Sequence, residues 1–227
     1  MNDYNIKIIR SKRKTISVSV DKNNSVIVRC PLNLNDAYID SFVSKHSSFI
    51  DSRIAEHNSQ KAESELNRLN YGYKIKVIEN YYTLCKSDDK VPSISGNCFY
   101  IPESFSYDQM RFAVIDFYKS EAKKYITARV KNISDIMNIY PHSVKISSAK
   151  TNWGSCSAKN SVNFSWRLLF SSEKAIDSVI VHELSHIKYH NHGKQFWNTV
   201  YLYMPDYDIY KTELKLLAKK LCTLPWL

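Results

Sequence analysis

The chain has 227 residues, 44% hydrophobic and 24% charged, a balance that supports a substantial buried core and excludes an intrinsically disordered chain. Four Gly and six Pro exclude collagen-like or linker-rich designs. Thirty-two Lys and Arg against 22 Asp and Glu leave a net charge of +10, which attracts polyanions but also follows from a composition rich in Lys, Asn, Ile and Tyr.

Residues 1–20 alternate polar and apolar positions and carry Arg10, Lys12, Arg13 and Lys14, without the apolar stretch of a signal peptide. No apolar run approaches about 18 residues, so a cytoplasmic chain without a membrane span is expected. Cys30, Cys85, Cys98, Cys156 and Cys222 form no CxxC pair and fit reduced thiols better than a disulfide framework. Alternation through Ile16, Val18 and Val20, then Val26, Ile27 and Val28, predicts a β-hairpin, with one more strand before it from Ile6. The basic run 10–14 falls in a strand-to-strand turn. Asn35 caps an expected helix carrying Ala37, Ile39, Phe42, Val43, Phe49, Ile50 and Ile54, and the polar residues 57–67 read as its solvated continuation.

Short strands are expected at 73–78, 81–85 and 98–101. Ser106 caps a long helix on which Met110, Val114, Phe117, Tyr118 and Ile126 recur at helical spacing, and Pro141 closes off the segment beyond it. Residues 144–148 and 162–169 have strand character, and three helical stretches come after them at 172–190, 194–203 and 207–222. The fold class expected is α+β. Residues 1–104 form a β-rich N-terminal part, and residues 105–227 a core of helix, small antiparallel sheet, histidine-bearing helix and trailing helices.

Four of the seven histidines fall between His182 and His192, and His182-Glu183-Leu184-Ser185-His186 is an HExxH motif. By composition alone, a chain like this one produces that motif in roughly one case in a hundred. On a helix, His182 and His186 lie about 40° apart on one face and one turn apart, so two imidazoles reach one tetrahedral Zn²⁺. Glu183 is turned aside and suits a water bound to the metal. Ile176, Ile180, Leu184 and Ile187 give the helix an apolar face for rigid backing. A structural zinc usually closes with four protein ligands and would leave Glu183 without a role.

The third ligand is separated by reach. On a continued helix His190 lies about 12 Å along the axis from His182, too far to share one ion. Asn191-His192-Gly193 is a helix-ending sequence whose Asn and Gly tolerate positive φ, and a reversal there swings His192 back beneath the metal. An acidic residue of the last helix, Glu213 by type, is the alternative.

Three ordered motifs, Lys150-Thr151-Asn152-Trp153-Gly154-Ser155-Cys156-Ser157, Asn163-Phe164-Ser165-Trp166-Arg167-Leu168, and the HExxH run followed by Asn191-His192-Gly193-Lys194-Gln195-Phe196-Trp197, resemble the YgjP-like family of zinc metallopeptidases. That family is related to the SprT-like and WLM proteases within the zincin group. The motifs are highly specific, and the looser pattern from Ile8 onward extends the likeness over nearly the whole chain. The resemblance implies a zincin-like core in which His182, His186 and His192 hold Zn²⁺ and Glu183 is the catalytic acid and base. Asn152 stands where Arg or Lys is common in the family, and Gly193 where Ser is frequent. Cys156 reads as structural, because a thiol beside such a site needs its own basic partner to attack.

The leading expectation is a zinc-dependent peptidase in which a zinc-bound water, deprotonated by Glu183, cleaves peptide bonds of a peptide or protein substrate. Val162, Asn163, Phe164, Ser165 and Trp166 are expected to receive the substrate backbone as an added strand. The alternatives are a SprT-like protease acting on nucleic-acid-bound proteins through the basic surface, and a zinc hydrolase of a nucleotide phosphoanhydride. No Gly-rich phosphate loop supports the latter.

Overall fold

The structure, a computed structural model, describes residues 4–227, so the reading of residues 1–20 includes three, 1–3, outside the described part. The chain divides into two compact units, one ending at Asn67 and the other running from Arg68 to Leu227. This division falls well before residue 104.

In the smaller unit, β1 (Ile6–Ser11), β2 (Ser17–Val20) and β3 (Val26–Pro31) form a sheet in the order β1-β3-β2. β2 and β3 are the hairpin, and β1 lies parallel to β3. Val26, Val28 and Cys30 alternate inward and are fully buried against Ile39, Val43 and Ile50. The helical stretch from Asn35 is two helices, α1 (Asp36–Lys45) and α2 (Ser47–Leu66). The break is at His46, whose Nδ1 donates to the Phe42 carbonyl at 2.8 Å and whose ring packs on Phe42. In the basic run, Arg10 is engaged internally, donating to the Leu32 and Leu34 carbonyls and pairing with Asp36.

The larger unit begins with β4 (Lys74–Val77), β5 (Asn80–Ser87), β6 (Ser93–Ser95) and β7 (Cys98–Pro102), in the order β4-β5-β7-β6. These strands belong with the second half of the chain because Ile75, Leu84, Phe99 and Ile101 share one core with the helix after them. That helix, α3 (Tyr107–Met137), starts at a reciprocal capping box between Ser106 and Gln109 and ends at Asn138, which takes a left-handed backbone. Its buried stripe through Val114, Tyr118, Ala122 and Ile126 is the centre of the unit.

Next in the chain is a three-stranded sheet: β8 (Ser143–Ser147), β9 (Gly154–Cys156) and β10 (Ser161–Ser165), in the order β8-β10-β9. The sheet is mixed rather than antiparallel. β9 reverses the chain between β8 and β10, so β10 returns parallel to β8 and antiparallel to β9. The strand expected over 162–169 stops at Ser165, and Trp166–Phe170 is a 3-10 turn begun by the Ser165 hydroxyl, which accepts from Arg167 N–H. The chain then forms α4 (Glu173–Lys188), α5 (Lys194–Tyr203) and α6 (Tyr207–Leu221). No helix among the described residues is long and apolar enough to cross a membrane.

Candidate metal centre

The position of α4 is set at both its start and its flank. Ser172 caps it, accepting from Ala175 N–H, and the Ser172 backbone and hydroxyl both donate to Glu213 at 2.8 Å. Glu213 is therefore held at the start of α4, about 15 Å along the axis from His182 and outside the histidine cluster. On the flank, Arg129 of α3 grips buried Asp177 with two parallel bonds of 2.9 and 2.6 Å and reaches Glu173 at 3.2 Å. Ile176, Ile180 and Leu184 are fully buried, giving the helix the backing its apolar spacing predicts.

His182 and His186 project one turn apart, with ring centroids 4.9 Å from one another. α4 ends at Lys188, and the chain turns back so that the His192 ring lies 5.1 Å from His182 and 4.7 Å from His186. The reversal is not made by left-handed residues: neither Asn191 nor Gly193 has a positive φ. It runs through extended backbone at Tyr189 (φ −133°, ψ 96°) and Gly193 (φ −74°, ψ −179°), the latter starting α5. Ligand atoms of His182, His186 and His192 all lie within 4.8 Å of one another, a group that could hold a metal ion. His190 is exposed and outside this group.

The ring protons are placed by their partners. His186 Nδ1 lies 3.1 Å from the Tyr189 carbonyl, which only accepts, so that nitrogen carries the proton and Nε2 presents its lone pair. His182 Nδ1 is 2.9 Å from the Tyr207 hydroxyl, whose ring stacks on the imidazole. His182 Nε2 faces His192 Nε2 at 3.2 Å. Burial, with the neighbouring His186, His192 and Lys211, pushes His182 down to about 4, and burial lowers His186 as well. Both rings thus stay neutral near pH 7, the form that binds metal.

Glu183 is 6% exposed, and burial pushes its carboxyl up to about 7. Gly154 of β9 faces it so closely that a Cβ there would come within 2.7 Å of Glu183 Cγ and Oε1. The Cys156 thiol is raised by burial and by Glu183, which keeps it protonated.

Two contributors were not singled out from the sequence. Fully buried Phe196 touches all three imidazoles, with centroids 4.9, 4.5 and 4.7 Å from His182, His186 and His192. The i, i+4 spacing of Phe196 and Val200, both buried on α5, is the signal that could have found it. Tyr207 is one of sixteen tyrosines, and nothing local distinguishes it. Val162, Phe164, Ser165 and Trp166 are buried, and β10 is hydrogen-bonded along both edges, so it has no free edge for an added strand. The edge strands of this sheet are β8 and β9, and β9 is the one that carries Gly154 against Glu183.

Comparison with known proteins places the chain in a class. A family model of the YgjP-like metallopeptidase domain matches residues 14–216, and the protein is a metallopeptidase. The chain belongs to the YgjP-like family. Among solved structures, the metallopeptidase zymogen of Methanocaldococcus jannaschii jannalysin is similar over 41% of this chain and 95% of its own, at 27% identity and a TM-score of 0.36. The metallopeptidase zymogen of Pyrococcus abyssi abylysin is similar over 41% and 93%, at 21% identity and a TM-score of 0.36. No curated protein matches the chain.

Proposed function

We propose that the protein is a zinc-dependent peptidase in which His182, His186 and His192 hold the metal and Glu183 moves the proton. The observation that carries this reading is the convergence of three imidazole ring nitrogens beside one buried carboxyl. The donor set fits zinc. Three imidazoles are a common zinc set, and two nitrogens on one tetrahedral ion at about 2.05 Å lie about 3.3 Å apart, against 3.2 Å between His182 Nε2 and His192 Nε2. With Nε2 of His182 turned to the metal, Nδ1 carries the proton and donates to the Tyr207 oxygen, fixing the ring's rotation.

When bound, zinc supplies Lewis acidity, which polarises the scissile carbonyl and favours attack by water near neutral pH. Glu183 takes a proton from the attacking water and returns it to the leaving amine nitrogen as the C–N bond breaks. A carboxyl held near 7 is matched to both transfers. Of the two edge strands, β9 lies against Glu183, and its outer edge accepts the substrate backbone as an added strand, which carries the scissile bond past Glu183.

Metal-free protein titrated with zinc is expected to bind one ion per chain and to cleave an unfolded protein such as casein, with cleavage lost on chelation. Failure to take up zinc, or cleavage indifferent to a chelator, overturns the proposal.

Gly154→Ala tests the role of β9. Gly154 has no positive φ, so alanine adds no backbone strain, and its methyl group displaces the Glu183 carboxyl. Turnover is expected to fall about 10²-fold with zinc content unchanged, as misplacing a reacting group by about 1 Å does. Wild-type turnover would show that Glu183 does not work from this position.

A further inference from the structure

A cavity of about 430 Å³ opens beside the histidines, within the size range of ligand pockets. Its walls include Gly154 of β9, His182 and Glu183 of α4, and Tyr207, Lys211 and Lys215 of α6. The last three are spaced four residues apart and form one row along α6, with both lysines exposed. The row runs up to the metal centre. Lys211 Nζ lies 5.9 Å from the Trp197 ring, which is itself 6.0 Å from His182 and 5.6 Å from His192.

The charge of this wall is not balanced from within the protein. No ion pair involves Lys211 or Lys215 among the described residues. The acids of α6 are occupied elsewhere: Asp208 accepts from the Tyr201 hydroxyl at 2.9 Å, and Glu213 accepts from Ser172. Glu183 is the cavity's single acidic residue. A substrate segment entering the cavity meets two ammonium groups free to pair. An unmodified peptide has one anionic group to offer them, the carboxylate, and a cationic side chain is repelled.

We infer that Lys211 and Lys215 make this a carboxylate-selecting subsite, taking peptides that present an acidic side chain or a free C-terminus beside the scissile bond. The inference rests on the peptidase reading. The side-chain and terminal sources share one chemistry and are separated by the substrates used.

The test uses the zinc-loaded full chain and quenched fluorogenic peptides that carry Glu, Gln or Lys on either side of one cleavable bond, each with a free or an amidated C-terminus. kcat/KM is expected to fall from Glu through Gln to Lys by about tenfold in all, the scale of two solvent-screened charge pairs, and the spread should narrow with salt. Lys211→Glu combined with Lys215→Glu is expected to invert the order. Preference that persists in amidated peptides assigns the subsite to side chains, and preference that follows the free terminus assigns it to the C-terminal carboxylate. Binding of the same peptides to Glu183→Gln, read by fluorescence anisotropy, should follow the same order without turnover. Cleavage with no order among the peptides, or an order unmoved by the charge reversal, overturns the inference and leaves the peptidase standing. Ordered binding with no cleavage by the parent chain overturns the peptidase and leaves the subsite.

Discussion

Glu183→Gln is expected to keep its zinc and lose about 10³- to 10⁴-fold in kcat, the upper range for a group that both takes and returns a proton. Glutamine preserves the shape of the side chain in the gap beside Gly154 but carries no titrating group. The substitution has a second expected effect, visible once zinc is removed. Burial raises the Glu183 carboxyl from 4.5 to about 7, so the unfolded chain gives up this proton at lower pH than the folded one. The stability of the chelated parent is therefore full below about 4.5 and declines as pH rises to about 7, by up to about 3 kcal/mol. His182, pushed down to about 4, contributes a slope of the opposite sign, but it does so in both proteins and drops out of their difference. Denaturant unfolding in chelator should find the variant more stable than the parent at pH 8, with that advantage gone at pH 4. Near-parental turnover by the variant would remove Glu183 from the chemistry.

His192→Ala separates a ligand from a structural histidine. Groups that only support zinc ligands are worth about 10- to 100-fold in affinity, so loss of a ligand should weaken zinc by at least about 10²-fold. At a zinc concentration about 100 times the parental Kd, the parent gains about 2.7 kcal/mol from the metal, and the variant should lose most of it. His192 is exposed, so in chelator the two should unfold within about 0.5 kcal/mol of each other. His190→Ala, equally exposed and outside the cluster, is the control and should bind zinc like the parent. Equal zinc affinity for His192→Ala and the parent would remove His192 from the site.

How much can be read from the sequence depends on the range of the interactions involved. His182, Glu183 and His186 lie on one helix, where helical periodicity alone fixes their relative directions. The apolar backing of that helix is legible for the same reason. His192 is legible as a matter of reach, since five residues separate it from His186, but the backbone of the reversal is not. Asn and Gly permit a left-handed turn without requiring one, and extended Tyr189 and Gly193 make the bend. Contacts between distant segments leave no local trace. Tyr207 meets His182 across 25 residues. Glu213 is a candidate ligand by residue type, yet its carboxylate is held at the far end of the same helix. β10 has the alternation of a substrate-binding strand, but strand order is a property of the whole sheet, and the order places it in the middle. The boundary expected near residue 104 rests on a change in element type, whereas the chain divides at Asn67 because β4 to β7 share the core of α3.

Phe196 has a bearing on how the proposed centre would release an ion. One phenyl ring, wholly inside, is the common floor under three imidazoles drawn from a helix and from the bend beyond it. The bend therefore cannot peel away on its own without uncovering apolar surface. In the proposed centre, demetallation would be coupled to loosening of the first turn of α5, and the ion's residence time would depend on the cohesion of that aromatic floor as well as on the nitrogens that face it.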